Sequence, residues 1–284
     1  MTNIKKLAIA ASLLLLVGVI GSVVTYQLIE KPKWITQEID IQDNDFTSID
    51  IVMNDGHVEV IPTHTSGAFI EISGHDVTDD VSVTVKDDSL SIVHKDKIQK
   101  LVSVNFGTKP TIVKVHVPQK NYNNLHIQSD NGTIDVKDLN TDTMTLESDN
   151  GKIKAASLIS TTLKIQANNG LITLKDTTAD SISIHSDNGR TELEDVKGKL
   201  VAKANNGRID FRTDSLDDPI ELTTNNGRID VQTANKPTNA TIIAQAANGS
   251  STIFDEEKSH AVFGLGEHSI TLSSHNGKIT VGNQ

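Results

Sequence analysis

Four cations hold one fixed place beside a recurring Asn-Gly pair: Lys152, Arg190, Arg208 and Arg228 each follow the glycine directly. Two positions beyond the last three stand Glu192, Asp210 and Asp230. Alternating guanidinium and carboxylate rows form exposed ion-pair ladders, each pair worth about 0–1 kcal/mol. The same row, if its charge is free, is a strip for an anionic polymer such as teichoic acid or for lipid headgroups. Directly before three of the pairs stand Asp130, Asp149 and Asp187, and before three others Asn168, Asn205 and Asn225, in one column. Stacked oxygens suit Ca²⁺, but the column loses its charge at the asparagines and reaches Ala247. A turn ladder with its own hydrogen bonds is therefore expected, and no metal. The ten histidines show no His-x-x-x-His or His-Glu-x-x-His spacing. There is no cysteine, which removes disulfides, thiolate zinc sites, cysteine nucleophiles and a lipidated cysteine. Nucleophile elbow, P-loop and dinucleotide fingerprint are missing. Carboxylates are scattered everywhere, so no general acid–base pair stands out. Aromatics are only 3%, too few for a sugar-stacking groove. The expectation is no catalytic residue and no cofactor. A net charge of −11 disfavours nucleic acid, which needs a basic face.

What positions the cation row is a repeat. Asn-Gly occurs at Asn131-Gly132, Asn150-Gly151, Asn169-Gly170, Asn188-Gly189, Asn206-Gly207, Asn226-Gly227, Asn248-Gly249 and Asn276-Gly277, at spacings of 19, 19, 19, 18, 20, 22 and 28. Six and four residues before each Asn the column is apolar, from Leu125 and Ile127 to Ile270 and Leu272. Two before it the residue is small, from Ser129 to Ser274; after the Gly come inward positions such as Ile134 and Val136. Polar residues fill the gaps, so each unit reads as two short strands with one buried face. One unit cannot bury that face alone, whereas stacked units make a continuous core. Gly takes positive φ freely and Asn tolerates it, so the pair makes a sharp corner.

The reading is all-β, a β-solenoid of about 19-residue coils over residues 125–284. Asn-Gly between alternating strands is also the strongest short hairpin signal. A row of antiparallel hairpins satisfies the same face logic; near-identical unit lengths favour parallel coils. Residues 35–124 alternate as well, and Asn54-Asp55-Gly56 is a degenerate corner. They read as β lead-in, either irregular first coils or a small sheet capping the open end, which would otherwise be a bare strand edge. Asp255 to His268 reads as an inserted loop between the last two corners.

Residues 1–6 form a short basic tail, and 7–29 carry no charge over 23 residues. As a helix this run is roughly 34 Å long, enough for a hydrocarbon core of about 30 Å. It ends at Glu30-Lys31-Pro32-Lys33 and Trp34. A cleaved signal has a shorter apolar region and a small-x-small site, and Gly21-Ser22 is a weak one. The segment reads as a transmembrane signal anchor with a cytoplasmic tail. It places the protein in the cell membrane as a single-pass chain, with its C-terminal bulk outside.

The run Val117-Pro118-Gln119-Lys120-Asn121-Tyr122, then Leu125 to Ile134 around Asn131-Gly132, resembles the DUF4097 "putative adhesin" family. So do the repeated Asn-Gly-x-Ile-x-Val units and the closing Phe263-Gly264-Leu265-Gly266. Members with one N-terminal membrane segment are similar to accessory proteins of lia-type envelope-stress operons of Gram-positive cells. The resemblance implies a β-solenoid on the outer face of the membrane and no established activity. The expected function is a non-catalytic envelope module. It would bind an anionic wall polymer, an antimicrobial peptide or a partner membrane protein through Lys152, Arg190, Arg208 and Arg228. The alternatives are a polysaccharide-acting β-helix enzyme and a purely structural assembly module.

Overall fold

The computed structural model describes residues 5, 11–12, 14–22, 34–75, 81–94 and 110–284. It falls into two units, Met1–Trp34 and Ile35–Gln284. In the first, residues 14–22 are helical. Among the described residues no helix is long and apolar enough to cross a membrane. The anchor expected over 7–29 lies in good part outside the described residues.

From Trp34 onward the described chain is mostly strand. The elements are β1 (Trp34–Ile41), β2 (Ser48–Thr63), β3 (Ala68–His75), β4 (Val81–Lys86), β5 (Ser89–His94) and β6 (Ile112–Pro118). Then come β7 (Asn121–Lys137), β8 (Asn140–Ala156) and β9 (Ile159–Thr213), which runs unbroken through three turns of the stack. The chain closes with β10 (Ile220–Asn226), β11 (Ile229–Thr233), β12 (Ala240–Asn248), β13 (Ser251–Ile253), β14 (Glu256–Glu257), β15 (His260–Phe263), β16 (His268–Asn276) and β17 (Ile279–Asn283).

β7, β8 and the first turn of β9 pair in parallel, each residue facing the residue 19 further on: Leu125 meets Met144, and Met144 meets Leu163. This decides between coils and hairpins, because a hairpin would pair the two flanks of one Asn-Gly with each other. Like meets like in the interior, where Ile127, Leu146, Ile165, Leu222 and Leu272 are fully buried. Each such side chain contributes about 1.5–3 kcal/mol by leaving water.

The order of layers differs from chain order at both ends. β2 is a complete layer in parallel register with β7, 76 residues later, and sets Asp55-Gly56 against Asn131-Gly132. Its other face carries β5 and β6, which together make a second layer. At the far end, β16 and β17 sit between β10–β11 and β12–β13. The eighth Asn-Gly unit therefore lies between the sixth and the seventh. The chain passes over one layer's place, builds the next, and returns to fill the gap.

Both outermost layers are covered by antiparallel strands. β4 pairs β5 and β3 pairs β6 at one end; β15 pairs β12 and β14 pairs β13 at the other. The tight turns there are Asp87-Asp88 and Phe254-Asp255, all four at positive φ. The chain's true hairpin turns thus avoid Asn-Gly, which makes coil corners instead.

Candidate functional site

The corner column is a single chain of amides. Asn150 Nδ2 donates to Asn131 Oδ1 at 3.1 Å, Asn169 to Asn150 at 2.9 Å, and Asn188 to Asn169 at 3.0 Å. Asn206 donates to Asn188 at 3.0 Å and Asn226 to Asn206 at 2.8 Å. Asn276 donates to Asn226 at 2.7 Å, and Asn248 to Asn276 at 3.0 Å, following spatial rather than chain order. At the other end Asn131 donates to Asp55 Oδ1 at 2.6 Å. All eight donors point the same way, towards β2.

Beside each amide lies its glycine. Positive φ occurs at Gly56, Gly132, Gly170, Gly189 and Gly277 but is not what the whole column shares. What every corner shares is close approach. A Cβ at Gly170 would lie 1.8 Å from the Gly151 carbonyl oxygen, and the column from Gly132 to Gly249 repeats this contact on the neighbouring glycine. A second corner column went unread in the sequence: Asp138, Ser157, Asp176 and Asp195 all take positive φ. Their 19-residue spacing was its signal.

The amide corners hold the cation column directly next to them. Register places Arg190, Arg208, Arg228 and Lys278 in four successive layers, each just before the inward Ile or Thr. Lys152 lies in the same column but is separated from Arg190 by the layer of Leu171. Pairing then divides the four. Arg190 binds Asp210 through Nε at 2.8 Å and Glu192 at 3.0 Å. Arg208 bonds to Asp210 and reaches Asp230 at 3.5 Å. The Asp210 carboxylate holds the Arg190 guanidinium above its ordinary pKa. Arg228 and Lys278 have no carboxylate partner among the described residues. Register accounts for the missing partner in the next layer: beyond Arg228 stands Thr280, and beyond Lys278 stands Thr252, in the column that holds Asp210 and Asp230 before. Lys152 is likewise without an ion pair among the described residues.

The asparagine and aspartate column preceding the corner is knit by side chains. Asn168 donates to Asp149 at 2.7 Å, Asn205 to Asp187, and Asn225 to Asn205 at 3.3 Å. Among the described residues no group of three or more His, Asp or Glu is placed to hold a metal. His126 meets Asp50 at 2.7 Å, and His185 meets Asp187 at 3.3 Å.

A feature not foreseen from the sequence is a polar cavity of about 600 Å³ at the last layers. Two register rows line it: Thr223, Ser273 and Gln245 on one, Asn225, His275 and Ala247 on the next. The segment after Phe254 walls it with Glu257, Lys258 and Ser259. Lys258 binds Glu256 at 2.9 Å and holds that carboxyl below its ordinary pKa. One carboxylate, Glu257, and one imidazole, His275, line the space.

The family description Toastrack DUF4097 matches residues 39–282. The chain belongs to this family. Its fold is similar to that of a "putative adhesin" from Bacteroides fragilis, at a TM-score of 0.51 and 17% identity, covering 89% of this chain and 98% of that one. A "putative lipid binding protein" from Parabacteroides distasonis (TM-score 0.47, 13% identity, 87% and 96% covered) is also similar. So is a "putative adhesin" from that organism (0.45, 16%, 89% and 98%). No curated protein matches the sequence. At these identities the Toastrack likeness concerns the fold.

Proposed function

We propose that this Toastrack protein is a non-catalytic, membrane-anchored module on the outer side of the cell membrane that binds an anionic envelope polymer. The observation that carries the reading is the column of Arg190, Arg208, Arg228 and Lys278 in consecutive layers. Layers stand about 4.8 Å apart, so the row offers regularly spaced charge to a polymer with repeated phosphates. Several weak contacts then add by avidity. In this reading Arg228 and Lys278 do most of the work, since their charges are not already matched. Anchoring is supported by the uncharged run 7–29 and by the described helical part of it. There Leu14, Leu15, Leu16, Val17, Val19 and Ile20 are all exposed, a surface that calls for an apolar surrounding. An envelope-stress role rests on the resemblance to lia-type accessory proteins.

The test is co-sedimentation of the full chain with polyglycerol-phosphate teichoic acid, and separately with phosphatidylglycerol vesicles scored against phosphatidylcholine vesicles, which the anchor enters without an anionic surface. A basic residue near an anionic surface is worth about 1 kcal/mol, so Arg228→Ser with Lys278→Ser should weaken binding about thirtyfold. Arg190→Ser with Arg208→Ser should cost less. Loss in the polymer arm alone identifies a wall ligand, and loss in the vesicle arm alone identifies headgroups. Unchanged binding in both arms rejects the strip.

A further inference from the structure

We infer that Asn248-Gly249 is the deamidation site of the folded protein, and that the stack protects the other seven Asn-Gly pairs. In this reaction the glycine backbone nitrogen attacks Cγ of the asparagine. The N–Cγ bond forms and the Cγ–Nδ2 bond breaks. The glycine amide proton passes through water to the leaving nitrogen, which departs as ammonia. Water then opens the ring imide at either carbonyl, giving aspartate or isoaspartate. The attack needs a free glycine nitrogen, a side chain free to swing, and water.

Interior corners deny the first two. Gly132, Gly151, Gly170, Gly189 and Gly207 lie within continuous paired strands. Gly227 N donates to Asn276 O at 2.9 Å, and Gly277 N to Asn248 O at 3.2 Å. Both of these glycine nitrogens are held by the next layer outward. Side chains are held twice: Asn188 donates to Asn169 and accepts from Asn206.

Asn248-Gly249 is the outermost corner, and no further corner lies beyond it to accept a bond. Among the described residues Gly249 N donates to nothing, and Asn248 Oδ1 accepts nothing. Asn248 keeps one bond, from its Nδ2 to Asn276. Gly249 also lines the polar cavity, which brings water to the imide. Conversion would remove the Nδ2 donor to Asn276 and leave a new carboxylate one layer from Lys278.

The test is incubation of the full chain in detergent micelles at mildly alkaline pH, followed by peptide mapping that resolves Asn, Asp and isoaspartate. In the folded protein Asn248 should react about tenfold faster or more than Asn150, Asn169 and Asn188, whose reaction waits on local opening. In concentrated urea the eight pairs should converge. Equal rates in the folded protein, or an interior pair that leads, would overturn the assignment. So would a lead of Asn248 that persists in urea, since local sequence would then set the rate. Asn248→Gln keeps the amide donor and should abolish the early product.

Discussion

Each corner asparagine donates to the layer on its β2 side and, except at the outermost Asn248, accepts from the other, so the ladder has a direction. A carboxylate accepts but cannot donate, and therefore fits only at the accepting end. Asp55 stands there. Asp55→Asn should leave stability nearly unchanged. Asn188→Asp loses its bond to Asn169 and sets a charge in the row, costing about 1 kcal/mol; urea midpoints of the two variants measure the contrast. The glycines obey a different rule. Gly→Ala at a tolerant site stabilises slightly by narrowing the unfolded ensemble. Gly170 sits at φ +139 with a Cβ position 1.8 Å from a carbonyl oxygen, so Gly170→Ala should cost about 3 kcal/mol or more. Gly67, with nothing within 4 Å of that position, is the control and should shift by about 0.5 kcal/mol or less. Tyr122 gives a pH signature. Its Oη donates to Pro118 O at 2.7 Å, and burial pushes its pKa well above 10.0. Folding favours the protonated phenol, so its contribution is full below pH 10.0 and is lost as pH rises towards the folded value. Tyr122→Phe should flatten the alkaline fall in denaturation midpoint, at a neutral-pH cost of about 1 kcal/mol for the lost bond.

Elements show what a single sequence discloses and what it withholds. Alternation plus Asn-Gly marks a layer, because a Cβ or a missing amide would break the stack there. It does not rank the layers. Ile270, Leu272, Ser274 and Asn276 of β16 carry the same pattern as Ile242, Ala244, Ala246 and Asn248 of β12, and either set suits the face of β10. The cation column was legible for the same reason. Which of its members are unpaired was not, since that depends on Thr280 following Asp230 in space. Hairpin turns at Asp87-Asp88 and Phe254-Asp255 were hidden too: neither contains a glycine, and although Asp takes positive φ more readily than most residues, Phe254 rarely does unless tertiary pairing forces it. These hairpins matter as covers: a bare parallel layer offers a full row of unpaired N–H and C=O groups. β15 covers β12 with only four residues, and Ala261 packs inward against it. Ala261→Glu would bury a charge and lift β15 away. Light scattering should then show a mass that rises with concentration, beyond the wild-type value, with the far-ultraviolet β signal retained. A mass unchanged from wild type would mean that the cap does not guard the edge.

Over the whole stack, the cost of closing each layer is uneven. Through β7, β8 and β9 partners lie 18 or 19 residues apart. At the ends they lie far apart: Ser48 pairs with Asn124, and Ile220 with Ile270. Loop-closure entropy grows with such separation, and in a stack each layer draws stability from its immediate neighbours. The centre therefore forms from local steps, and the end layers dock only after a long segment has been ordered. Threading reinforces this at the C-terminal end. β16 and β17 are the last strands of the chain, yet they lie one layer inside; the outermost layer cannot stay seated without them. Opening should then proceed from both ends towards β8 and β9, in units of more than one layer. Native-state hydrogen exchange in rising urea tests it. Amides of β12, β13, β16 and β17 should exchange as one group, at lower urea than those of β8. If β12 and β13 open alone while β16 stays protected, the threaded pair does not act as a unit. If all layers exchange together, the chain folds as a single two-state body and the uneven closure has no energetic weight.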